Sequence, residues 1–192
     1  MKTRILGILG AIALLLSAGS VYAGDAKPVK YHASGGCTFI NTGITFDGGV
    51  TYASQSTCTG SDNFGFFQSQ LISASYDTGT SCTAPDGSTG ELYMHEFGTY
   101  AKTYTLFNDQ WWADSFSGTF CVNYTTDVFG ATNTWGVLGG TGRFTGATGT
   151  TNDKVTGSFL YLANVVPPQT VPPLQTGYFA RDTFTSTGTI TP

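Results

Sequence analysis

The sequence has little charge. Only 10% of its 192 residues are Asp, Glu, Lys or Arg, with eight basic against twelve acidic side chains and a formal net charge of −4. A protein that binds nucleic acid through its phosphates needs a clustered basic surface. The composition therefore predicts no nucleic-acid partner.

Histidine is scarce as well, since His32 and His95 are the only two. This count excludes a metal site built from several histidines. The aspartates Asp62, Asp77 and Asp86 lie in stretches typical of loops, but they lack the alternating D-x-D-x-D spacing of a calcium loop. We therefore expect these carboxylates to be solvated, and we predict neither a bound metal nor a cofactor.

Short motifs of several common enzyme classes are also missing. The sequence has no G-x-S-x-G motif, which argues against a serine hydrolase of that type. Its glycine-rich run lacks both the G-x-G-x-x-G pattern for dinucleotides and the G-K-[S/T] ending of a phosphate loop. After residue 23 no stretch has the apolar periodicity of a long amphipathic helix. The missing motifs argue against these enzyme classes. The lack of helical periodicity argues against a helical fold and favours an all-β chain.

The first 23 residues are predicted to form a secretory signal peptide. Lys2 and Arg4 provide the charged start, and the apolar run over 5–16 is too short for a membrane-spanning helix. We therefore expect a secreted protein, periplasmic or extracellular, with no membrane span in the mature chain. Residues 24–36 are expected to form a flexible leader before a single domain over 37–192.

Four cysteines lie beyond the predicted signal peptide, an even number typical of disulfides in an exported chain. They are Cys37, Cys58, Cys82 and Cys121. Four cysteines allow three pairings. We favour Cys37–Cys58 together with Cys82–Cys121, because these two bonds close neighbouring hairpins without crossing.

Alternation of apolar and polar residues predicts strands along most of the domain. The clearest example is 116–124, where Phe120 and Val122 share one face. Asp47-Gly48 predicts a tight hairpin turn, and the proline-rich run over 167–173 predicts a surface loop. Roughly eight to ten short strands at this spacing are typical of a sandwich or a barrel. We predict a single antiparallel, disulfide-braced β-barrel with no significant helix after the signal peptide, because closure removes exposed strand edges.

The stretch over 139–149 holds five glycines in eleven residues. Such density predicts a tight, bulged corner between two strands, because glycine adopts positive φ at little cost. Arg143 within it is expected to bind a nearby carboxylate or loop carbonyl. The residues assigned this structural role are Gly139, Gly140, Gly142, Arg143, Phe144 and Gly146.

This corner also carries a family resemblance. The run Gly139-Gly140-Thr141-Gly142-Arg143-Phe144, followed by Gly146-Ala147 and Gly149, resembles the glycine corner of the allene oxide cyclase and dirigent-like β-barrels, including their bacterial secreted relatives. The ending Thr187-Gly188-Thr189-Ile190 is similar to the ends of those bacterial chains. The resemblance implies a small antiparallel barrel with an apolar cavity, often assembled into a homo-oligomer such as a trimer. It transfers no catalytic residue to this chain.

Glu96 is the candidate catalytic residue. On a regular strand it shares a face with Leu92 and Met94. If that face points into the barrel, burial raises the pKa of Glu96 and makes it a candidate general acid or base. If the opposite face points inward, Glu96 lies in water.

Five aromatic residues are candidates for a ligand pocket or a sugar-stacking platform, with ordinary core packing as the alternative. They are Tyr104, Phe107, Trp111, Trp112 and Phe120.

Two functional hypotheses follow. The barrel binds a small apolar or aromatic molecule in its cavity and steers a cyclisation or isomerisation by holding it in one geometry. Alternatively, it is a surface or matrix protein that binds glycans or protein partners through aromatic residues at its rim, without catalysis.

Overall fold

The computed structural model describes residues 27–46, 49–160 and 178–192. They form a closed barrel of eight strands in which each strand pairs antiparallel with the next and the last pairs with the first. The strands are β1 (Val29–Phe46), β2 (Gly49–Asp62), β3 (Gly65–Thr83), β4 (Thr89–Tyr104), β5 (Gln110–Asn123), β6 (Val128–Gly140), β7 (Thr148–Leu160) and β8 (Tyr178–Thr191). The predicted all-β antiparallel barrel is confirmed.

The strands are longer than the sequence analysis predicted. They run from 13 residues in β6 to 19 residues in β3, so the expectation of short strands is wrong. Stretches rich in serine, threonine and glycine resemble turns locally, but in the barrel they continue the hydrogen-bonded ladder. Within the described residues, the helical structure is limited to a 3₁₀ turn over Gly142–Phe144. None of it is long and apolar enough to cross a membrane.

The barrel begins earlier than the predicted domain boundary. β1 starts at Val29, so residues 29–36 are strand and the prediction of a flexible leader up to residue 36 is wrong. Gly35 suggested a flexible turn, but a Cβ there would lie 2.8 Å from the Phe184 ring and against the Thr59 carbonyl oxygen. The glycine thus permits close packing of strands. The predicted signal peptide, the Asp47-Gly48 turn and the proline-rich loop lie outside the described residues.

Two disulfides brace the barrel in the favoured pairing, which is therefore confirmed. Cys37 and Cys58 are directly opposite each other on β1 and β2. Cys82 at the end of β3 is bonded to Cys121 on β5, so this bond crosses over β4. Both bonds are compatible with an extracellular location.

Bulges decide which residues of β4 and β5 point into the barrel. On β4, Ser75 of β3 pairs with His95 and Ala74 pairs with Phe97, so that Glu96 is an extra residue. The inward-facing positions therefore change from odd numbers before the bulge, such as Tyr93, to even numbers after it. β5 has a similar irregularity between Ser115 and Ser117.

The interior holds two apolar clusters, one toward each end of the barrel. The first lies at the end that carries the β2–β3 turn and includes Tyr31, Phe67, Tyr104, Trp111, Trp135 and Phe144. The second lies toward the opposite end and includes Phe39, Tyr93, Val122, Phe129, Phe159 and Ala180. The space between these clusters is the part of the interior that apolar side chains do not fill.

The glycine corner closes the first end. It joins β6 to β7 through the 3₁₀ turn, with Gly142 at φ 58° and Gly146 at φ 78°. Phe144 is fully buried there, with its ring centroid 5.1 Å from those of Phe64 and Tyr104. Arg143 lies 3.1 Å from the Asp109 carboxylate and donates a 3.0 Å hydrogen bond to the Phe64 carbonyl oxygen. The corner therefore fills this end of the barrel, and Arg143 binds it to the β2–β3 and β4–β5 turns.

Candidate binding cavity

A cavity lies between the two apolar clusters, and all eight strands contribute residues to its wall. The volume open to the centres of water-sized spheres is about 110 Å³. By that measure one water needs about 10–15 Å³, and an apolar cavity of about 150 Å³ has been shown to admit benzene. The cavity is thus somewhat smaller than that example but of the same order of size as a cavity that holds one aromatic ring.

Serine side chains form one side of this cavity. β2 contributes Ser54 and Ser56, and β3 contributes Ser69, Ser73 and Ser75. The hydroxyls of Ser54 and Ser73 are hydrogen-bonded at 2.7 Å. Because serine is small, these positions leave open the space that leucine or phenylalanine would fill in a packed barrel. Serine at alternate positions of β2 and β3, interrupted by Leu71, is the sequence signal for this wall, and the sequence analysis did not use it.

A row of polar residues lies on the other side. Asn133 on β6 is directly opposite Asp153 on β7, which is directly opposite Ser186 on β8. Such neighbours have Cβ atoms about 5 Å apart. Asn133 Oδ1, Asp153 Oδ1 and Ser186 Oγ are buried, and none has a hydrogen-bond partner among the described residues. The row therefore lines the cavity with side chains whose hydrogen-bonding capacity is not fully met within the described residues.

His95 extends this row across β5. A Cβ on Gly118 would lie 3.0 Å from His95 Cγ and against Asn133 Oδ1, so the two side chains approach each other over the glycine. Burial lowers the pKa of His95 to about 4, which keeps the imidazole neutral at neutral pH. Its Nδ1 is buried without a partner in the described part of the chain. We call His95, Asn133, Asp153 and Ser186 the polar row.

Two carboxyl groups of residues that line the cavity have raised pKa values. Burial raises the pKa of Asp182 to about 7, opposed by a hydrogen bond from the Cys37 amide. Burial also raises the pKa of Asp153. Ser186, the Lys102 charge and Trp135 oppose that shift, although no hydrogen bond satisfies Asp153 Oδ1 within the described residues. Buried carboxyls with weak compensation are typical of functional sites.

A second polar group, formed around Asp62, borders the cavity at its first end. Asp62 Oδ2 accepts hydrogen bonds from Tyr104 Oη at 2.5 Å and Tyr31 Oη at 3.1 Å, and lies 3.4 Å from Lys102 Nζ. Burial lowers the pKa of Lys102 to about 8, opposed by the charges of Asp62 and Asp153. The expectation that Asp62 is a solvated loop residue is wrong, because β2 continues to Asp62 and its side chain is 0% exposed.

Glu96 lies on the outside of the barrel. The sequence analysis left open whether the face with Leu92 and Met94 points inward, and the structure decides against it, because Tyr93 and His95 are the inward residues and Met94 is 40% exposed. Glu96 itself is exposed at the β4 bulge. Of the two alternatives for Glu96, exposure to water is therefore the correct one, and at this position its carboxyl cannot reach a molecule held in the cavity.

The five aromatic candidates are divided among three environments. Phe120 lines the cavity. Tyr104 and Trp111 are fully buried in the first apolar cluster, and Trp111 Nε1 donates a 3.0 Å hydrogen bond to Tyr104 Oη. Phe107 and Trp112 are on the outer surface, 67% and 37% exposed. They therefore do not form one site.

Asp182 and His95 are expected to make opposite contributions to the pH dependence of stability. The folded pKa of Asp182, about 7, exceeds the ordinary 3.8, so its protonated form stabilises the fold and the free energy of unfolding falls as pH rises from about 4 to about 7. The folded pKa of His95, about 4, is below the ordinary 6.5, so the free energy of unfolding falls as pH drops through that window.

Single variants should separate these contributions. As pH rises from about 4 to about 8, the free energy of unfolding of Asp182→Asn is expected to increase by about 2 kcal/mol relative to that of the parent protein. As pH falls over the same range, the free energy of unfolding of His95→Gln is expected to increase by about 2 kcal/mol relative to that of the parent protein. Both figures allow for the partial exposure of these side chains. Urea denaturation across this pH range measures both. Asp114→Asn, at an exposed position on β5, is the matched control. Stability curves that run parallel for all four proteins would contradict the assignment.

Comparison of the chain with protein-family models, curated proteins and solved structures found no match. Kinship with the allene oxide cyclase and dirigent-like barrels therefore stays a hypothesis that rests on the glycine corner.

Proposed function

We propose that this protein binds a small molecule in the barrel cavity, and that the molecule combines an apolar body of about one ring with at least one hydrogen-bonding group. The observation that carries the proposal is the cavity itself, whose wall combines aromatic rings with residues that hold buried, unpartnered polar atoms. Binding sites for small molecules are commonly concave and largely apolar, with a few polar groups that fix orientation.

Aromatic rings at both ends of the cavity suit the apolar part of such a molecule. Toward the second cluster, Phe129 has its ring centroid 5.2 Å from that of Phe39 and 5.0 Å from that of Phe120. Toward the first cluster, the rings of Tyr100 and Trp135 meet edge to face at 4.8 Å. These five aromatic residues all line the cavity, so a flat apolar molecule can pack against aromatic rings at either end of it.

The polar row suits the hydrogen-bonding part. A buried polar atom without a partner costs about 1–3 kcal/mol. Four such atoms lie side by side across β4, β6, β7 and β8: His95 Nδ1, Asn133 Oδ1, Asp153 Oδ1 and Ser186 Oγ. A ligand that hydrogen-bonds to them recovers part of that cost and is fixed in one orientation. Such fixing is also how a barrel with few catalytic groups can steer a cyclisation or isomerisation.

The proposed setting is outside the cytoplasm, on the strength of the signal-peptide pattern over 1–23 and the two disulfides. The proposal agrees with the family resemblance in placing a ligand inside a barrel. It differs in the ligand's chemistry, because the polar row and Asp182 make this cavity more polar than the resemblance implies.

Titration with benzyl alcohol, which has one ring and one hydroxyl, tests the proposal by NMR. We expect saturable one-to-one binding with shifts concentrated at Phe120 and Asn133. Ala131→Phe, which places a ring into the cavity, should abolish the binding. Ala101→Phe, which adds the same ring on the outer face of β4, should leave it unchanged. Binding that is absent, or equal in Ala131→Phe and Ala101→Phe, would refute a cavity site.

A further inference from the structure

We infer that the molecule bound in this cavity carries an amine as its ammonium cation, and that Asp182 is the group that accepts it. This inference rests on the proposed function. It follows from a comparison of the three carboxylates inside the barrel, together with the rings around one of them.

Asp62 and Asp153 already have compensating groups. Asp62 receives two tyrosine hydroxyls and the Lys102 ammonium. The charge of Lys102 also favours the ionised form of Asp153, which lies beside Ser186. Both carboxylates therefore already have a cation of the protein, Lys102, among the groups that favour their ionised form.

Asp182 has no such compensation. The group that favours its ionised form is one backbone amide, from Cys37 directly opposite on β1. Its Oδ1 is buried and has no hydrogen-bond partner among the residues that the structure describes. A cation supplied by a ligand would complete this site, because a buried charge is favourable only when it is paired.

The surroundings of Asp182 suit an organic cation. A Cβ on Gly157 would lie 2.7 Å from Asp182 Cβ and against the ring of Phe129, so the carboxyl and the ring are neighbours across this glycine. Phe129 belongs to the aromatic group with Phe39 and Phe120. A carboxylate near aromatic rings can attract an ammonium ion as a salt-bridge partner, and the rings can add cation–π attraction.

The other titratable groups that face the cavity do not compete for this role. On β4, burial keeps His95 neutral at neutral pH, and Lys102 is held at Asp62. On β7, Asp153 is opposite Ser186, whereas Asp182 lies four residues before Ser186 along β8. Four strand residues span about 13 Å, so one ammonium group cannot bridge both carboxyls.

Benzylamine and benzyl alcohol form a matched pair of probes, since they share the ring and differ in the charged group. For the intact protein at about pH 8 we expect benzylamine to bind at least about tenfold more tightly. The ratio should shrink as pH falls below 7, because protonation of Asp182 removes the charge that attracts the ammonium. Asp182→Asn should weaken benzylamine binding about tenfold and change benzyl alcohol binding by less than about threefold, with Asp114→Asn as the charge-matched control.

Each outcome is decisive. If benzyl alcohol binds as tightly as benzylamine, the ammonium inference is wrong and the proposed cavity site stands. If neither probe binds, the proposed function fails. If Asp153→Asn removes the preference and Asp182→Asn retains it, the assignment of Asp182 is overturned. Should Asp182→Asn fail to fold, the ratio measured across pH on the parent protein decides by itself.

Discussion

Replacement of Trp111 by alanine is expected to lower the free energy of unfolding by about 4 kcal/mol, whereas the same change at Trp112 should cost about 1 kcal/mol or less. Trp111 is 0% exposed, and its ring meets those of Tyr31 and Tyr100 at centroid distances of 5.7 and 5.3 Å. Trp112 is adjacent in sequence but points outward and is 37% exposed. The two variants remove the same atoms from opposite faces of β5.

Urea denaturation at neutral pH measures both changes, and each variant is the control for the other. Equal losses would contradict the assignment of opposite faces. Trp112→Ala also tests the alternative function, because Trp112 and Phe107 are the aromatic candidates exposed at the surface. Retention on an immobilised polysaccharide that Trp112→Ala abolishes, while benzyl alcohol binding persists, would favour glycan recognition at the rim.

Replacement of Asp62 by alanine is expected to lower the free energy of unfolding by about 4 kcal/mol, the other large effect. The change leaves the buried Lys102 ammonium without its carboxylate, and it leaves the hydroxyls of Tyr31 and Tyr104 without their acceptor. Removing one partner of a buried ion pair costs about 3–5 kcal/mol, much more than the pair itself contributes.

Two further variants make this prediction specific. Asp109→Ala removes the partner of Arg143, whose side chain is 33% exposed, and should cost about 1 kcal/mol. Adding Lys102→Met to Asp62→Ala should recover at least about 1 kcal/mol, because the unpaired charge is then gone. Denaturant unfolding of the four proteins gives the comparison. A double variant no more stable than Asp62→Ala alone would show that the lost ion pair is not the cause.

The fold was predictable because its signals are local. Period-two alternation, the lack of helical periodicity and the frequent turn residues all depend on neighbours in sequence, and together they indicate an all-β sandwich or barrel. The choice of the barrel rested on the separate argument that closure removes exposed strand edges. The disulfide pairing Cys37–Cys58 with Cys82–Cys121 was predicted correctly, although the second bond joins β3 to β5 across β4 and does not close a hairpin as expected.

The site was predictable only in part, because its residues are assembled by bulges and register. A single extra residue at Glu96 exchanges the two faces of β4, so an alternation read along the sequence assigns the wrong face to part of the strand. Phe120 was identified as a cavity residue, whereas Asn133, Asp153, Asp182 and Ser186 were not, since each is unremarkable on its own strand.

The sequence by itself determined that this chain forms antiparallel β-strands braced by disulfides, because strand formation and turn chemistry depend on residues that are neighbours along the chain, whereas closure of the barrel depends on the pairing of β1 with β8. The tertiary structure alone decided that His95, Asn133, Asp153 and Ser186 form one row and that Asp182 faces the same cavity as Phe129. The physical reason is that hydrogen-bond register between strands, and not spacing along them, sets which side chains meet inside a barrel.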